Sequence, residues 1–370
     1  MISSFSFPTS ILHGAESLGH LPEKLRTLGI TRPLIVTDAG LLPTPAFALL
    51  KESAPHSATV FSEVHPNPVE GDVIAGVEAW RKGQCDGIIG FGGGSALDVA
   101  KILRVAVSTA GARWRELTWQ DDPGKLPAFI AIPTTAGTGS EVGRSSVIIF
   151  DKTKRVIFHP ALLANLVILD PRVTSGLPPK LTAATGTDAL THCIESYTSP
   201  VFHPLCDAVA LEGARITFHY LPRAVENGQD LEARGMMQIA ATMGGIAFQK
   251  DLGAAHSLSH PLSAHFGLHH GLANGLCLLP VMRLNAQRKP GVYERLGVAI
   301  GLREAGDAAV LGATRSLLEM IGISGGLRSQ GIDESALPML AEAAFADSCH
   351  RTNPVPLTQA DLLDLYRAAL

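Results

Sequence analysis

"CDGIIGFGGGSALDVAK", residues 85–101, decides the fold. An apolar, β-branched run ends in three consecutive glycines, and a helix-forming segment follows. Glycine loses more backbone entropy on folding than any other residue, so Gly92, Gly93 and Gly94 imply a turn that needs bare backbone. A strand feeding a helix through such a turn exposes N–H groups at the helix's positive end, a setting suited to a pyrophosphate. The turn is not a Rossmann fingerprint, because Ser95 stands where the third glycine would fall and the strand is not the first. Nor is it a P-loop, since no Gly-Lys-Ser/Thr follows. A purely structural tight turn accounts for the glycines equally well.

The pattern extends to both sides. "RPLIVTDAG" (32–40) reads as a buried strand ending at Asp38, and "ATVFSEV" (58–64) as a second strand. "GVEAWRKGQ" (76–84) and "LDVAKILRVAVST" (97–109) read as helices, and "PAFIAIPTT" (127–135) as a strand. This alternation predicts βαβ units and a largely parallel sheet. "SSVIIF" and "NLVILD" add strands within 141–170, with a hairpin as one arrangement. After Pro178-Pro179 the β-branched runs give way to stretches such as "DAVALEGARITFHYL" and "EARGMMQIAATMGGIAF". The expectation is therefore two domains, an α/β nucleotide-binding domain over 1–178 and an all-α metal-binding domain over 179–370.

Composition narrows the function. The 370 residues are 46% hydrophobic, enough for a substantial core in two domains. A net charge of −4 with scattered Lys and Arg excludes the basic footprint of a nucleic-acid binder. The five cysteines are widely spaced with no C-x-x-C pair, which reads as reduced thiols. "MISSFSFPTSILHG" has neither a basic n-region nor a long apolar h-region, and no apolar run approaches a membrane span. A soluble cytoplasmic protein without a membrane partner is expected.

Asp38 ends its strand at the edge where ligands of open parallel sheets collect, and a carboxylate there can accept from a ribose diol while repelling a 2′-phosphate. A turn-forming role before Gly40 is the alternative. "PTTAGTGSE" (133–141) is a second hydroxyl- and glycine-rich turn after a strand. Its Thr134, Thr135, Thr138 and Ser140 could reach phosphate or ribose oxygens, or simply cap the next element.

The second half carries a possible metal constellation. "TGTDALTHCIES" (185–196) sets Asp188 and His192 four residues apart, hence on one face of a helix. "AAHSLSHPL" (254–262) does the same for His256 and His260, and "GLHHGLANG" (267–275) adds His269 and His270. With His265, five of the 14 histidines fall within 256–270. One carboxylate and several imidazoles from different helices suit a divalent ion such as Fe(II) or Zn(II). Spacing alone leaves open which three histidines bind.

Together "GGGSALDVAK", "PTTAGTGSEV", "GTDALTHCIES", "HSLSHPLSAHFGLHHGLANGLCLLP" and "TNPVPLT", running in order from Asp38 to about Pro354, resemble the iron-dependent (group III) alcohol dehydrogenases. The resemblance implies a dehydroquinate synthase-like fold, with an α/β dinucleotide-binding domain, an all-α C-terminal domain and the active site in the cleft between. It implies that Asp188, His192, His256 and His270 bind the metal, Fe2+ or else Zn2+, and that His260 relays a proton near the nicotinamide. It suggests cofactor contacts from Asp38, Asn67 in "HPNP", Gly93, Gly94, Ser95, Asp98, Thr134, Thr135 and Lys154. Thr138, from the hydroxyl-rich turn, joins this set. The expected activity is hydride transfer between NAD(H), in preference to NADP(H), and a small alcohol/aldehyde pair, in a homo-oligomer such as a dimer. Alternatives are a maleylacetate reductase or glycerol dehydrogenase-like enzyme of the same superfamily, or a catalytically silent nucleotide-binding protein. Maleylacetate reductases typically lack the full set of one Asp and three His. Three departures from the family pattern stand out: Gly143-Arg144 where Thr-Arg is frequent, His269 in place of proline, and Val355 in "TNPVPLT" in place of arginine.

Overall fold

The structure is a computed structural model that describes residues 9–108, 111–150 and 153–370, without the side chains of 111–113, 153 and 154. In the first half, strands β1 (Ser10–His13), β2 (Pro33–Val36), β3 (Thr59–Phe61), β4 (Gly87–Gly92), β5 (Ala128–Pro133) and β8 (Leu166–Leu169) form one parallel sheet in the order β1-β8-β5-β4-β2-β3. Strands β6 (Ser145–Phe150) and β7 (Thr153–Phe158) form a separate antiparallel ribbon. Helices α1 (Leu21–Thr27), α2 (Pro45–Ser53), α3 (Glu70–Lys82) and α4 (Gly94–Val107) alternate with the early strands. β2, β4 and β8 are buried along their whole length, which is why "PLIV", "GIIGFG" and "LVIL" read as continuous apolar runs rather than alternating ones.

The chain turns from β4 into α4 at Gly92. Its φ of +155° lies where L side chains rarely go, and an added Cβ would stand 2.7 Å from Ala96 Cβ. Gly93 caps α4 in extended conformation, and the helix begins at Gly94. The expected hairpin is present with a different partner: "SSVIIF" pairs with "TKRVIF", while "NLVILD" supplies β8 of the main sheet. The alternating burial of β6 suits a two-sided ribbon, and the fully buried "LVIL" suits a parallel sheet interior.

The second half is helical: α5 (Pro179–Thr198), α6 (Pro204–Glu226), α7 (Leu231–Ala247), α8 (Ala254–Phe266), α9 (His270–Arg288), α10 (Glu294–Ala299), α11 (Asp307–Met320), α12 (Leu337–Ala346) and α13 (Gln359–Ala369). These helices share a core that includes Leu190, Ile194, Met237, Leu258, Leu278, Leu340 and Tyr366. The chain divides into two compact units, one of Pro178–Leu370 with Ala136–Thr138, the other running to Thr135 and over Gly139–Leu177.

α5 packs against α6, α7 and α9 and is buried on nearly every face, although it carries many polar residues. Its threonines make that possible. The hydroxyls of Thr187, Thr191 and Thr198 donate to the carbonyls of Ala183, Thr187 and Ile194, four residues earlier, so no hydroxyl is desolvated without a partner. At Gly271 the start of α9 approaches α5 so closely that a Cβ would lie 2.0 Å from Ala184 O and 3.1 Å from Asp188 Cβ. This close approach sets the neighbouring His270 over Asp188.

Candidate active site

Asp188 and His192 sit one turn apart on α5, His256 and His260 one turn apart on α8, and His270 opens α9. From Asp188 Oδ1, His270 Nε2 is 3.5 Å away, and the Nε2 atoms of His192 and His256 are each 3.8 Å away. The donor atoms of Asp188, His256 and His270 all lie within 4.8 Å of one another. His192 is outside that group of three, but its Nε2 faces Asp188 and its ring stacks on that of His256 with centroids 4.7 Å apart. Such separations are too long for hydrogen bonds, but donors about 2.0–2.2 Å from one tetrahedral ion stand about 3.4 Å apart. The donor set therefore fits a divalent cation.

The electrostatics agree with that fit. Asp188 is buried, which alone would raise its pKa, but His192, His270 and His256 around it hold its carboxyl well below the usual range. Burial pushes His192 down to about 4 and His270 well below its ordinary value, so both rings are neutral and keep lone pairs for an ion. His256 differs. Burial opposes its charge, yet its contacts with Asp188 and Glu195 hold it up at about 9.

A second layer of polar residues fixes the first. His256 Nδ1 donates to Glu195 Oε2 at 2.5 Å, leaving Nε2 turned toward Asp188. Glu195 is buried and also accepts the backbone N–H groups of Gly253 (3.0 Å) and Ala255 (2.6 Å), at the N-terminus of α8. Asn274 Nδ2 donates to Asp188 Oδ1 at 2.8 Å and faces Nε2 of His256 and of His270, each at 3.2 Å. His260 stacks on His270 with ring centroids 5.3 Å apart, and its Nδ1 donates to Asp347 Oδ2 at 2.8 Å. Burial would raise the Asp347 carboxyl, but the His260 contact holds it well below its ordinary range. The sequence reading did not single out Glu195, Asn274 or Asp347.

In the α/β unit the structure gathers most of the expected cofactor residues around one turn. Thr134 N donates to Gly92 O at 3.0 Å, and a Cβ on Gly93 would sit 3.6 Å from Thr135 Cγ2, so the two glycine-rich turns lie side by side. Asp38 stands one residue beyond Thr37, bridged to Glu63, and a side chain at Gly92 would come 3.8 Å from its Oδ2. Ser95 Oγ donates to Pro66 O at 2.6 Å, tethering the exposed loop that carries Asn67. The first N–H groups of α4, at Gly94 and Ser95, have no acceptor within the helix. Asp98 is turned inward: one oxygen accepts from Ser140 Oγ (2.7 Å) and the other from Val147 N (3.0 Å), with the buried Lys101 Nζ 3.6 Å away. Thr138 is half-buried and groups with the helical unit. Lys154 is a residue of β7 whose side chain lies outside the described part.

Comparison with known proteins decides what this arrangement belongs to. Residues 8–171 match the family model described as iron-containing alcohol dehydrogenase, and residues 182–370 match the model of the C-terminal part of the Fe-containing alcohol dehydrogenase family. The chain belongs to the iron-containing alcohol dehydrogenase family. It is a metal-dependent, NAD(H)-linked oxidoreductase acting on small alcohols and aldehydes. It is 38% identical over 363 residues, 94% of each chain, to the 4-hydroxybutyrate dehydrogenase of Cupriavidus necator. The solved structure of a 1,3-propanediol oxidoreductase superposes with a TM-score of 0.94 over the whole of both chains, at 32% identity. That of the sulfoacetaldehyde reductase of Bifidobacterium kashiwanohense in complex with NAD+ gives 0.91 at 30% identity, covering 100% of this chain and 99% of that one.

The departures from the family pattern have distinct settings. His269 is exposed at the N-cap of α9 and makes no capping hydrogen bond, whereas its neighbour His270 points at Asp188. Val355 is buried in the helical core, where an arginine would need its own partners, so its place is in packing. Arg144 lies over the Phe158 ring, 5.3 Å from its centroid, beside Gly143. The five cysteines are free, four of them buried. Among the described residues no helix is long and apolar enough to cross a membrane.

Proposed function

We propose that Asp188, His192, His256 and His270 hold one divalent ion, Fe2+ or Zn2+, and that His260 is the proton-relay residue of the alcohol/aldehyde reaction. The observation that carries this reading is the convergence of three imidazole Nε2 atoms on Asp188 Oδ1 at 3.5–3.8 Å. When bound, the ion supplies a Lewis acid for a substrate oxygen, and NAD(H) supplies or takes the hydride. The chain's own residues do the rest. Asp188 brings the formal negative charge of the donor set, and His192 and His270 bring neutral lone pairs. Glu195 keeps a proton on His256 Nδ1, so Nε2 is the nitrogen that would give up its proton to solvent as an ion binds. His260, with Nδ1 tied to Asp347, offers Nε2 to take the hydroxyl proton or to return it.

The same reading gives residues 1–178 the cofactor and residues 179–370 the metal. Gly93, Gly94 and Ser95 would carry the pyrophosphate on the N-terminus of α4, with Asn67, Thr134, Thr135, Thr138 and Lys154 as polar neighbours. Asp98 would act indirectly, since both its oxygens are engaged within the protein. The five free thiols support a reducing, cytoplasmic setting, and β1, an edge strand with Ile11 exposed, supports a homodimer. The test is metal analysis of anaerobically purified protein coupled to turnover on short primary alcohols, diols, ω-hydroxy acids and their aldehydes with each nicotinamide. Activity that is independent of any bound metal would refute the reading.

Two expected results arise here. Asp38 accepts from the adenosine ribose diol in this reading, and it would face the 2′-phosphate of NADP(H) with like charge in a half-buried position. Asp38→Gly therefore narrows or inverts the NAD(H) preference, mainly by improving NADP(H) binding. The ratio of kcat/KM for the two cofactors measures it, and an unchanged ratio returns Asp38 to a turn-forming role. Glu195→Gln keeps the shape but replaces an anionic acceptor, and loss of such a ligand-orienting partner typically costs about 10–100-fold in metal affinity. Competition with a chelator should show this loss, with the unfolding temperature little changed.

A further inference from the structure

Asp347 is 87 residues from His260 in sequence, yet it sits at the centre of a hydrogen-bond cradle under it. Its Oδ1 accepts from Ser257 Oγ and from Cys349 N, both at 2.8 Å. The other oxygen, Oδ2, accepts from His260 Nδ1 at 2.8 Å. Ser257 is itself fixed, because its Oγ accepts the His350 N–H at 2.7 Å and its own proton is thereby directed to Asp347. The donor atoms of His260, Asp347 and Cys349 lie within 4.8 Å of one another, as in a possible second ion site. The hydrogen bonds argue otherwise: both Asp347 oxygens already accept from protein donors, and burial together with Asp347 holds the Cys349 thiol well above its ordinary pKa.

We propose that Asp347 is the positioning residue of His260, fixing the tautomer with its proton on Nδ1 so that Nε2 is the nitrogen that exchanges a proton with substrate. This rests on the proton-relay reading of His260. The cradle is directional. Cys349 N–H can only donate, and Ser257 O–H is directed the same way, so the Oδ1 position must be an acceptor. That leaves the Oδ2 position for His260. A carboxylate there accepts and demands a proton on Nδ1. In Asp347→Asn the amide oxygen is required at the Cys349 and Ser257 side, so the NH2 group faces His260. A donor there demands a bare Nδ1 and moves the ring proton to Nε2, the wrong nitrogen for a base. The substitution is nearly isosteric and keeps two of the three cradle bonds, so the change is one of proton placement rather than of shape.

The test is a double-mutant cycle on the metal-loaded enzyme, comparing wild type, Asp347→Asn, His260→Ala and the double variant. The measured quantities are kcat and KM for alcohol oxidation, the direction in which His260 acts as the base, metal content per chain, and the 15N chemical shifts of the His260 ring in the zinc form. Asp347→Asn should lower kcat by about 10²-fold, within the range set by loss of acid–base help, with KM and metal content held. Its His260 shifts should report a proton moved from Nδ1 to Nε2. In the His260→Ala background the same substitution should have no further effect, and Asp347→Glu should recover part of the rate. Additive losses would overturn the proposal, because they would mean that Asp347 acts on folding or packing and not through His260. A slow His260→Ala variant beside a fast Asp347→Asn variant would overturn it while leaving the relay reading intact. An unimpaired His260→Ala variant would overturn both.

Discussion

His256→Ala is expected to yield a folded protein that no longer retains its divalent ion and has lost nearly all turnover. His256 is the most constrained of the four proposed ligands. It is 1% exposed, its Nδ1 is bonded to Glu195, its Nε2 faces Asp188, and its ring lies against those of His192 and His270. Removing it deletes one ligand from a small site. Loss of a structural or catalytic ligand of this kind is seldom compensated. The fold should survive, because Glu195 keeps the N–H groups of Gly253 and Ala255 and is not left without partners. Metal per chain, unfolding temperature and aldehyde-dependent NADH oxidation should be measured on the same preparation. Full activity in metal-free His256→Ala protein would sink the ligand assignment.

His260→Ala should behave in the opposite way with respect to the ion. One helical turn from His256, it has a different second partner and 38% of its side chain is exposed. The variant should keep a full complement of metal and lose about 10²–10⁴-fold in turnover, the usual worth of general acid–base help. His270→Ala provides the contrast, since its Nε2 is 3.5 Å from Asp188 Oδ1 and its loss should empty the site. If His260→Ala empties the site and His270→Ala does not, the roles of the two stacked rings are exchanged.

Much of this could be read from the chain because local chemistry and tertiary place coincide. A β4–glycine–α4 turn announces itself, since an apolar run, a residue with φ of +155° and a helix N-terminus are contiguous. The Asp188–His192 and His256–His260 pairs are helical neighbours, and helices carry their spacing into space unchanged. Glu195 was also within reach, seven residues after Asp188 and so on the same face of α5, but nothing in the sequence says that this face turns toward α8. Asp347 could not be found that way. It meets His260 across 87 residues of chain, in a turn after α12 with no recognisable pattern. His269 and His270 are adjacent and chemically identical, and only the close packing of Gly271 on Ala184 decides which ring faces Asp188. The partner of "SSVIIF" was missed for a related reason. "TKRVIF" is a ribbon strand whose Lys and Arg hide its β character, whereas "NLVILD", the more apolar run, supplies a strand of the main sheet.

The proposed site holds one ion between Asp188, His192, His256 and His270. Anomalous diffraction from crystals of the active, anaerobically prepared enzyme, recorded on both sides of the iron and zinc edges, tests it most directly. One strong peak per chain is expected, ringed by an Asp188 carboxylate oxygen and the Nε2 atoms of the three histidines at about 2.0–2.2 Å. A peak held instead by His260, Asp347 and Cys349, or no peak in crystals of fully active protein, would contradict it.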